Sequence, residues 1–173
     1  MGDDPRLLDP AALGDHVDRL YRAAWALCGR REDAEDLVQE TYAKVLARPR
    51  LLRNDDDLGY LLRVLRNVFV SQYRAASRRP RTQPMPEDVE LADRRSDTRP
   101  DHAVEAREVF AVIASLPDDF RDALVAVDVA GLSYGEAARL LGVKEATITS
   151  RLHRARARVA AGMESASVGV PRG

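Results

Sequence analysis

The sequence predicts an all-α protein built from two small helical domains joined by a flexible linker. Helix-forming residues dominate the 173 residues, only 5% are aromatic, and β-branched runs are scarce. Apolar residues recur at helical spacing on both sides of a proline-rich, highly charged stretch at 77–100. Because proline breaks helices, this stretch predicts a tether. We expect domains at 1–78 and 104–165, a linker at 79–103 and a tail at 166–173.

Three helices are predicted in the first domain from apolar spacing and from the residues that stop them. The first runs from Asp15 to Leu27, and Gly29 is a typical stop. The second covers about 32–47 and ends before Pro49. The third covers about 57–77.

The second domain is predicted to contain four helices, separated by proline and glycine. The first begins near Ala103 and breaks at Pro117, and the next starts at the following aspartates and ends near residue 131. Ser133 and Glu136 form the spacing of a capping box at the start of a short helix. Gly142 ends that helix, and the last one covers about 144–161.

Charge is divided unevenly along the chain, although the formal net charge is only −1. Residues 58–81 carry six arginines and no acid, and residues 144–173 carry six basic and two acidic residues. Two basic blocks in an otherwise acidic chain indicate two contacts with a polyanion. For an arbitrary protein, simple solvation of helices is the favoured interpretation of such blocks. The placement of the charges on each helix therefore decides between contact with a polyanion and simple solvation.

The last predicted helix has the pattern of a recognition helix. Ile148, Leu152, Ala155 and Val159 form a buried stripe at 100° per residue. The opposite face carries small and hydrogen-bonding residues with arginines at its borders, a combination that suits base edges and phosphates of a major groove. With the short helix and turn before it, this predicts a helix-turn-helix.

The second and third helices of the first domain have faces of opposite charge. On the third helix, arginine, amide, hydroxyl and aromatic groups share one side, which suits phosphates and unstacked bases. The outward face of the second helix is acidic, which repels DNA and suits a basic protein partner. From the residues alone, a merely solvated acidic face is the favoured interpretation.

Several motifs together resemble the extracytoplasmic-function (ECF) class of bacterial sigma factors. DAEDLVQET at 33–41 resembles that family's polymerase-binding segment, and YLLRVLRN at 60–67 resembles its promoter-melting segment. SLP at 115–117, GLSY at 131–134, LGV at 141–143 and TITSRLHRAR at 147–156 resemble its −35-reading domain. The domains are thereby identified as sigma region 2 and sigma region 4.

The resemblance implies a role for each face. The residues implied to bind the polymerase are Glu32, Asp36, Gln39 and Glu40. Those implied to bind −10 DNA are Tyr60, Arg63, Asn67, Ser71, Arg74 and Arg78. Those implied to bind −35 DNA are Lys144, Thr147, Thr149, Ser150, Arg151, His153, Arg154 and Arg158, with Arg151, Arg156 and Arg158 packing nearby or on phosphates.

The same resemblance implies partners. They are core RNA polymerase, through the clamp helices of its largest subunit and its flap, promoter DNA at both elements, and an anti-sigma factor. Its implied function is a sigma factor that directs polymerase to promoters and assists melting. The alternative is a helix-turn-helix regulator that does not bind core polymerase as a sigma subunit.

Other function classes fit the sequence poorly. The three histidines lie in unrelated segments, Cys28 is the only cysteine, and no phosphate-binding glycine loop is present. We therefore expect no catalytic site, metal or cofactor. No apolar run predicts membrane insertion or a signal peptide, so a cytoplasmic location is expected. The acid-rich stretch at 53–59 remains open, since it either contacts a base or caps the next helix.

Overall fold

The computed structural model describes residues 6–52, 56–78 and 100–168. The helices are α1 (Val17–Cys28), α2 (Arg31–Ala47), α3 (Asp57–Arg78), α4 (Pro100–Ala114), α5 (Asp118–Leu124), α6 (Tyr134–Leu141) and α7 (Glu145–Val168). A 3-10 helix (Pro10–His16) precedes α1, and a π-helical turn (Val125–Val129) extends α5. Strands β1 (Arg6–Leu7) and β2 (Leu51–Leu52) pair antiparallel. The all-α prediction is confirmed, and the strand pair is too short for sequence alternation to reveal.

Two helices extend beyond their predicted bounds. Helix α4 begins at Pro100, inside the predicted linker, because proline is favoured in the first turn of a helix. Helix α7 runs to Val168, through Gly162 and into the predicted tail. A Cβ on Gly162 would lie 2.7 Å from a Val112 methyl, so α4 and α7 approach closely there. The predicted linker residues 79–99, and the flexibility expected of them, lie outside the described residues, as does the tail after 168.

The N-terminal unit (residues 6–78) is built around the apolar sides of α1, α2 and α3. Leu20, Leu37, Leu61 and Leu65 are almost completely buried. Thr41 is buried among them, and its hydroxyl donates to the Leu37 carbonyl at 2.7 Å, which satisfies the polar group. Gly29 ends α1 with φ 76°, as its predicted role as a helix stop requires.

The C-terminal unit (residues 100–168) packs α7 against α5, α4 and α6. The predicted stripe on α7 is confirmed at Ile148, Leu152 and Ala155, each at most 1% exposed. Gly142 turns the chain between α6 and α7 with φ 67°. The two helices therefore form the predicted helix-turn-helix, with the opposite face of α7 open to solvent.

The two units pack against each other, an arrangement that the sequence did not predict. Helix α4 and the π-helical turn contact α1, and the rings of Trp25 and Phe110 lie 4.6 Å apart between centroids. Arg66 of α3 forms an ion pair with Asp122 of α5 at 2.7 Å. The guanidinium of Arg121 lies 5.0 Å from the ring centroid of Phe69. Sequence periodicity identifies buried faces but not which element covers them, so this packing was not foreseen.

None of the helices in the described ranges combines the length and apolar character needed to cross a bilayer.

Candidate nucleic-acid interface

The outer face of α7 presents small and polar side chains, as predicted. Thr149, Ser150, His153 and Arg154 are exposed, whereas Thr147 is half-buried. The hydroxyl of Thr149 donates to the Glu145 carbonyl at 3.2 Å, and that of Ser150 donates to Thr147 at 3.0 Å. Both oxygens keep acceptor capacity toward solvent. Lys144, just before the helix, is also exposed. We define these six residues as the groove-reading face.

Three arginines of α7 are paired within the C-terminal unit. Arg151 contacts Asp119 at 2.9 Å, and Arg158 lies 5.0 Å from the Phe120 ring centroid. Arg156 donates two hydrogen bonds to Asp128, at 2.9 and 2.7 Å. The Asp128 carboxylate raises the pKa of the Arg156 guanidinium above its ordinary value. The structure therefore places Arg151 and Arg158 in contacts that orient α7 on α5. Sequence reasoning could not foresee these pairs because both partners lie on another helix.

The capping box predicted at the start of α6 is present. The Ser133 backbone N–H donates to Glu136 Oε2 at 2.7 Å, and the Glu136 N–H donates to Ser133 Oγ at 3.3 Å. Hydrogen bonds from Ser133 lower the pKa of the Glu136 carboxyl. This box fixes the start of the helix that supports α7.

We expect Ser133→Ala to destabilise the protein by about 1 kcal/mol at pH 7, since it removes a helix cap. Ionised Glu136 is favoured in the folded state, so its contribution is present above its unfolded-state pKa and is lost as pH falls through the lowered value. The difference between wild type and variant should thus shrink at pH 3. Urea unfolding at both pH values measures it. Ser165→Ala, whose hydroxyl bonds only within α7, is the matched control, and an equal effect from it would contradict the prediction.

The outward side of α3 forms one wall of a surface groove that is lined largely by basic side chains. Arg63, Asn67, Ser71 and Arg74 are exposed and Tyr60 is half-buried, while the side chain of Arg78 lies outside the described residues. We call this set the basic-aromatic face. Three further bases complete the groove from the end of α2 and the connection after it: Lys44, Arg48 and Arg50. The sequence did not single out these three bases, because they lie in a stretch whose net charge is negative. Their clustering after residue 43 was the available signal.

A second cavity lies where α6 approaches the start of α3. Glu136, Arg139 and Leu140 face Tyr60 and Arg63 across it. The C-terminal unit therefore narrows access to one end of the basic-aromatic face. Together, the two cavities can accept phosphates through guanidinium groups and a flat base against Tyr60.

The outward side of α2 is acidic, as predicted. Glu32, Asp36, Gln39 and Glu40 are all exposed, and we call them the acidic face. Glu40 also forms an ion pair with Lys44 of the next turn at 3.6 Å. Three carboxylates that only accept hydrogen bonds suit a basic protein surface. The acidic face and the groove-reading face both remain open to solvent while the two units are packed together.

No group of three or more potential ligand side chains that could hold a metal ion occurs in the described ranges. The interface consists of charge, hydrogen bonding and an aromatic surface.

Family profiles match both units of the chain. The profile described as Sigma-70 region 2 matches residues 13–79, and that described as Sigma-70 region 4 matches residues 106–159. The chain is 37% identical over 145 residues to the ECF RNA polymerase sigma factor SigE of Mycolicibacterium smegmatis, which covers 82% of this chain and 56% of that protein. It is 35% identical over 152 residues to the ECF RNA polymerase sigma factor EcfG of Rhodopseudomonas palustris, covering 84% and 79% respectively.

Solved structures give the same result at the level of the fold. The sigma factor RpoE in complex with the anti-sigma factor NepR from Bartonella quintana superposes with a TM-score of 0.69 at 25% identity, covering 90% of this chain and 98% of that one. CnrH in complex with the cytosolic domain of CnrY gives a TM-score of 0.61 at 21% identity, covering 90% and 86%.

Proposed function

The chain belongs to the family of extracytoplasmic-function RNA polymerase sigma factors, and we propose that it directs bacterial RNA polymerase to specific promoters and helps to melt them. The carrying observation is that one chain presents the acidic face, the basic-aromatic face and the groove-reading face. A helix-turn-helix regulator that does not bind polymerase would use only the last of these. The family consists of sigma factors rather than enzymes, and we infer that binding alone accounts for the activity.

The acidic face is the proposed contact with core polymerase. Its carboxylates suit the basic side of the clamp helices in the largest subunit, with Asp36 and Glu40 at the centre. The C-terminal unit would contact the flap. Support comes from the exposure of all four residues and from the match of the N-terminal unit to Sigma-70 region 2.

The basic-aromatic face is the proposed −10 reader. Extracting a base from a duplex costs a few kcal/mol, which a pocket must offset. Tyr60 offers a stacking surface, Asn67 offers an amide for base edges, and the basic groove walls neutralise phosphates. The residues of α3 thus offer contacts to bases, and Lys44, Arg48 and Arg50 add charge for phosphates.

The groove-reading face is the proposed −35 reader. Thr149, Ser150, His153 and Arg154 can reach base edges because the side chains around them are small. Lys144, which precedes the helix, suits a phosphate. Arg151 and Arg158 orient the helix through Asp119 and Phe120.

Binding both promoter elements requires the two units to separate. The elements are about 25 base pairs apart, roughly 85 Å of B-DNA at about 3.4 Å per base pair. A compact body of this length has a radius of gyration of about 16 Å and thus a diameter of roughly 40 Å. Residues 79–99 can span up to roughly 70 Å when extended. We infer that the packed state is a resting state and that an anti-sigma factor, such as the one bound to the RpoE neighbour, can act on it.

Run-off transcription with purified core polymerase and a library of promoter fragments tests the proposal. We expect transcripts that appear only when the protein is added and that share two upstream elements. DNA binding without core binding would instead establish the helix-turn-helix regulator.

Arg154→Ala is expected to weaken promoter binding by about 1–3 kcal/mol and to relax base preference within the −35 element. Arg154 is exposed on the groove-reading face, so its guanidinium is positioned for a base edge. Binding to a set of −35 variants measures both effects. Arg156→Ala is the control, because that side chain is held by Asp128 and should leave base preference unchanged. Equal weakening on every sequence would assign Arg154 to a phosphate.

A further inference from the structure

The N-terminal segment lies across the connection between α2 and α3. Strand β1 pairs antiparallel with β2, which places Arg6 opposite Leu52 and Leu7 opposite Leu51. Strand β2 belongs to the stretch that joins α2 to α3. The first described residues of the chain thus provide backbone partners for a segment about 45 positions later.

The acidic stretch at the start of α3 is used within the protein. Asp57 accepts a hydrogen bond from Arg6 Nη2 at 2.6 Å, and its side chain is only 10% exposed. Burying a carboxylate this well costs free energy unless a positive partner or hydrogen-bond donors compensate for the lost water. Asp56 accepts from the Gly59 backbone N–H at 2.9 Å and so caps the helix. These two acids therefore serve helix capping and chain anchoring, which resolves for them the choice that the sequence left open.

The N-terminal segment is also anchored at its other end. Asp9 accepts from the Ala11 backbone N–H at 2.9 Å and starts the 3-10 helix. Leu13 in that helix is buried, and its carbonyl accepts from the Tyr42 hydroxyl at 3.0 Å. We call residues 6–13 the strap, because it is tied to α2 through Tyr42 and to α3 through Asp57.

The strap holds a stretch that forms part of the basic groove. Arg48 and Arg50 precede β2 and line the groove, together with Tyr60 and Asn67 of α3. Leu52 of β2 lines the neighbouring cavity beside Asp56 and Tyr60. The position of β2 therefore sets where Arg50 lies relative to the basic-aromatic face.

We propose that the strap is a positioning element for −10 recognition, in which the Arg6–Asp57 ion pair and the β1–β2 pairing hold residues 48–52 in place along the basic groove. This inference rests on the proposed function. Recognition geometry must be held to roughly 0.5 Å by supporting contacts. Arg6 is linked to the groove through its ion pair with Asp57 and through the pairing of β1 with β2, so it acts as a positioning residue.

The test compares Arg6→Ala and Arg6→Lys with wild type in run-off transcription on two promoter libraries, one varied at −10 and one at −35. We expect Arg6→Ala to lower discrimination among −10 variants by fivefold or more. Discrimination among −35 variants and affinity for core polymerase should stay within twofold. Arg6→Lys should restore most −10 discrimination, because lysine can keep the charge pair. Arg19→Ala, an exposed arginine of α1, is the matched control.

The outcomes separate this inference from the proposed function. If the wild-type protein supports promoter-dependent transcription and Arg6→Ala discriminates among −10 variants equally well, the inference is overturned and the proposed function stands. Equal loss at −10 and −35 would also overturn it, since that result indicates a damaged fold. Absence of promoter-dependent transcripts with wild-type protein would overturn both. Faster hydrogen exchange at the one β2 amide that donates to β1 in Arg6→Ala would support the loss of strand pairing independently of DNA.

Discussion

The double variant Asp36→Arg/Glu40→Arg is expected to abolish promoter-dependent transcription by preventing binding to core polymerase. Both side chains are exposed on the acidic face, so the change acts on the partner rather than on the core. Close charge pairs at a strongly charged protein interface can couple by about 1.5 kcal/mol or more, and reversal replaces attraction by repulsion. Two reversals should cost at least about 3 kcal/mol, a loss of affinity of roughly a hundredfold or more.

The fold should tolerate this change. Glu40 loses its pair with Lys44, but that contact is surface-exposed and its contribution to stability is at most a few tenths of a kcal/mol. The measurement is affinity for core polymerase at two salt concentrations, together with run-off transcription. Glu108→Arg/Glu164→Arg makes the same change in net charge at exposed sites on α4 and α7 and should bind normally. Normal binding by the first double variant would show that the acidic face is only a solvated surface.

Local features were predictable from the sequence because their causes lie within a few residues. The stripe of Ile148, Leu152 and Ala155 follows from helical periodicity, and each residue is buried as expected. The capping box at Ser133 and the turn at Gly142 follow from backbone requirements that few residue types meet. Sequence spacing therefore identifies which faces of the helices are buried, and glycine identifies the ends of α1 and α6.

Features that depend on distant partners were not predictable in the same way. The sequence shows that Arg151 borders the recognition helix, but its partner Asp119 lies 32 positions away. Arg6 and Asp57 form an ion pair although they are 51 positions apart. Arg6 is brought there by β1, a strand of only two residues that leaves no alternating pattern in the sequence. Lys44, Arg48 and Arg50 reach the basic groove because of how α2 and α3 cross, which linear charge counts do not contain. Assignment of site residues thus required the tertiary arrangement.

The contact between the two units contains both favourable and costly interactions. Asp122 is 6% exposed at the side chain and pairs with Arg66 across the contact. Arg121 Nε is buried without a hydrogen-bond partner among the described residues, 3.7 Å from Asp122 Oδ1. An unsatisfied buried donor costs about 1–3 kcal/mol, which makes the packed state easier to open.

Asp122→Arg is expected to separate the two units without unfolding either. The change places a third guanidinium beside Arg66 and Arg121, and breaking a buried ion pair costs about 3–5 kcal/mol. Separation relieves the repulsion from Arg66, because Arg66 belongs to the other unit. The radius of gyration from small-angle scattering should rise above the roughly 16 Å expected of a compact chain of this length, while helical circular dichroism stays unchanged.

The single cysteine provides a second measurement of this opening. Burial raises the pKa of the Cys28 thiol to about 12, with a further increase from Asp33. Gly29, the next residue, lies against Ala114 of α4, so this end of α1 is covered by the other unit. If opening returns the pKa to its ordinary range, the thiolate fraction at pH 8 rises by up to roughly a thousandfold. A less basic thiolate is also a weaker nucleophile, which reduces this gain by about twentyfold. The alkylation rate of Cys28 should therefore rise by tens of fold.

Alkylation of Cys28 at pH 8 should therefore be tens of fold faster in Asp122→Arg than in wild type. Asp119→Arg is the matched control, because Asp119 pairs with Arg151 inside the C-terminal unit and its reversal leaves the contact between units intact. The opened variant should bind core polymerase at least as tightly as wild type, since no binding energy is spent on separation. A compact Asp122→Arg variant with a slowly reacting thiol would show that the ion pair does not hold the units together.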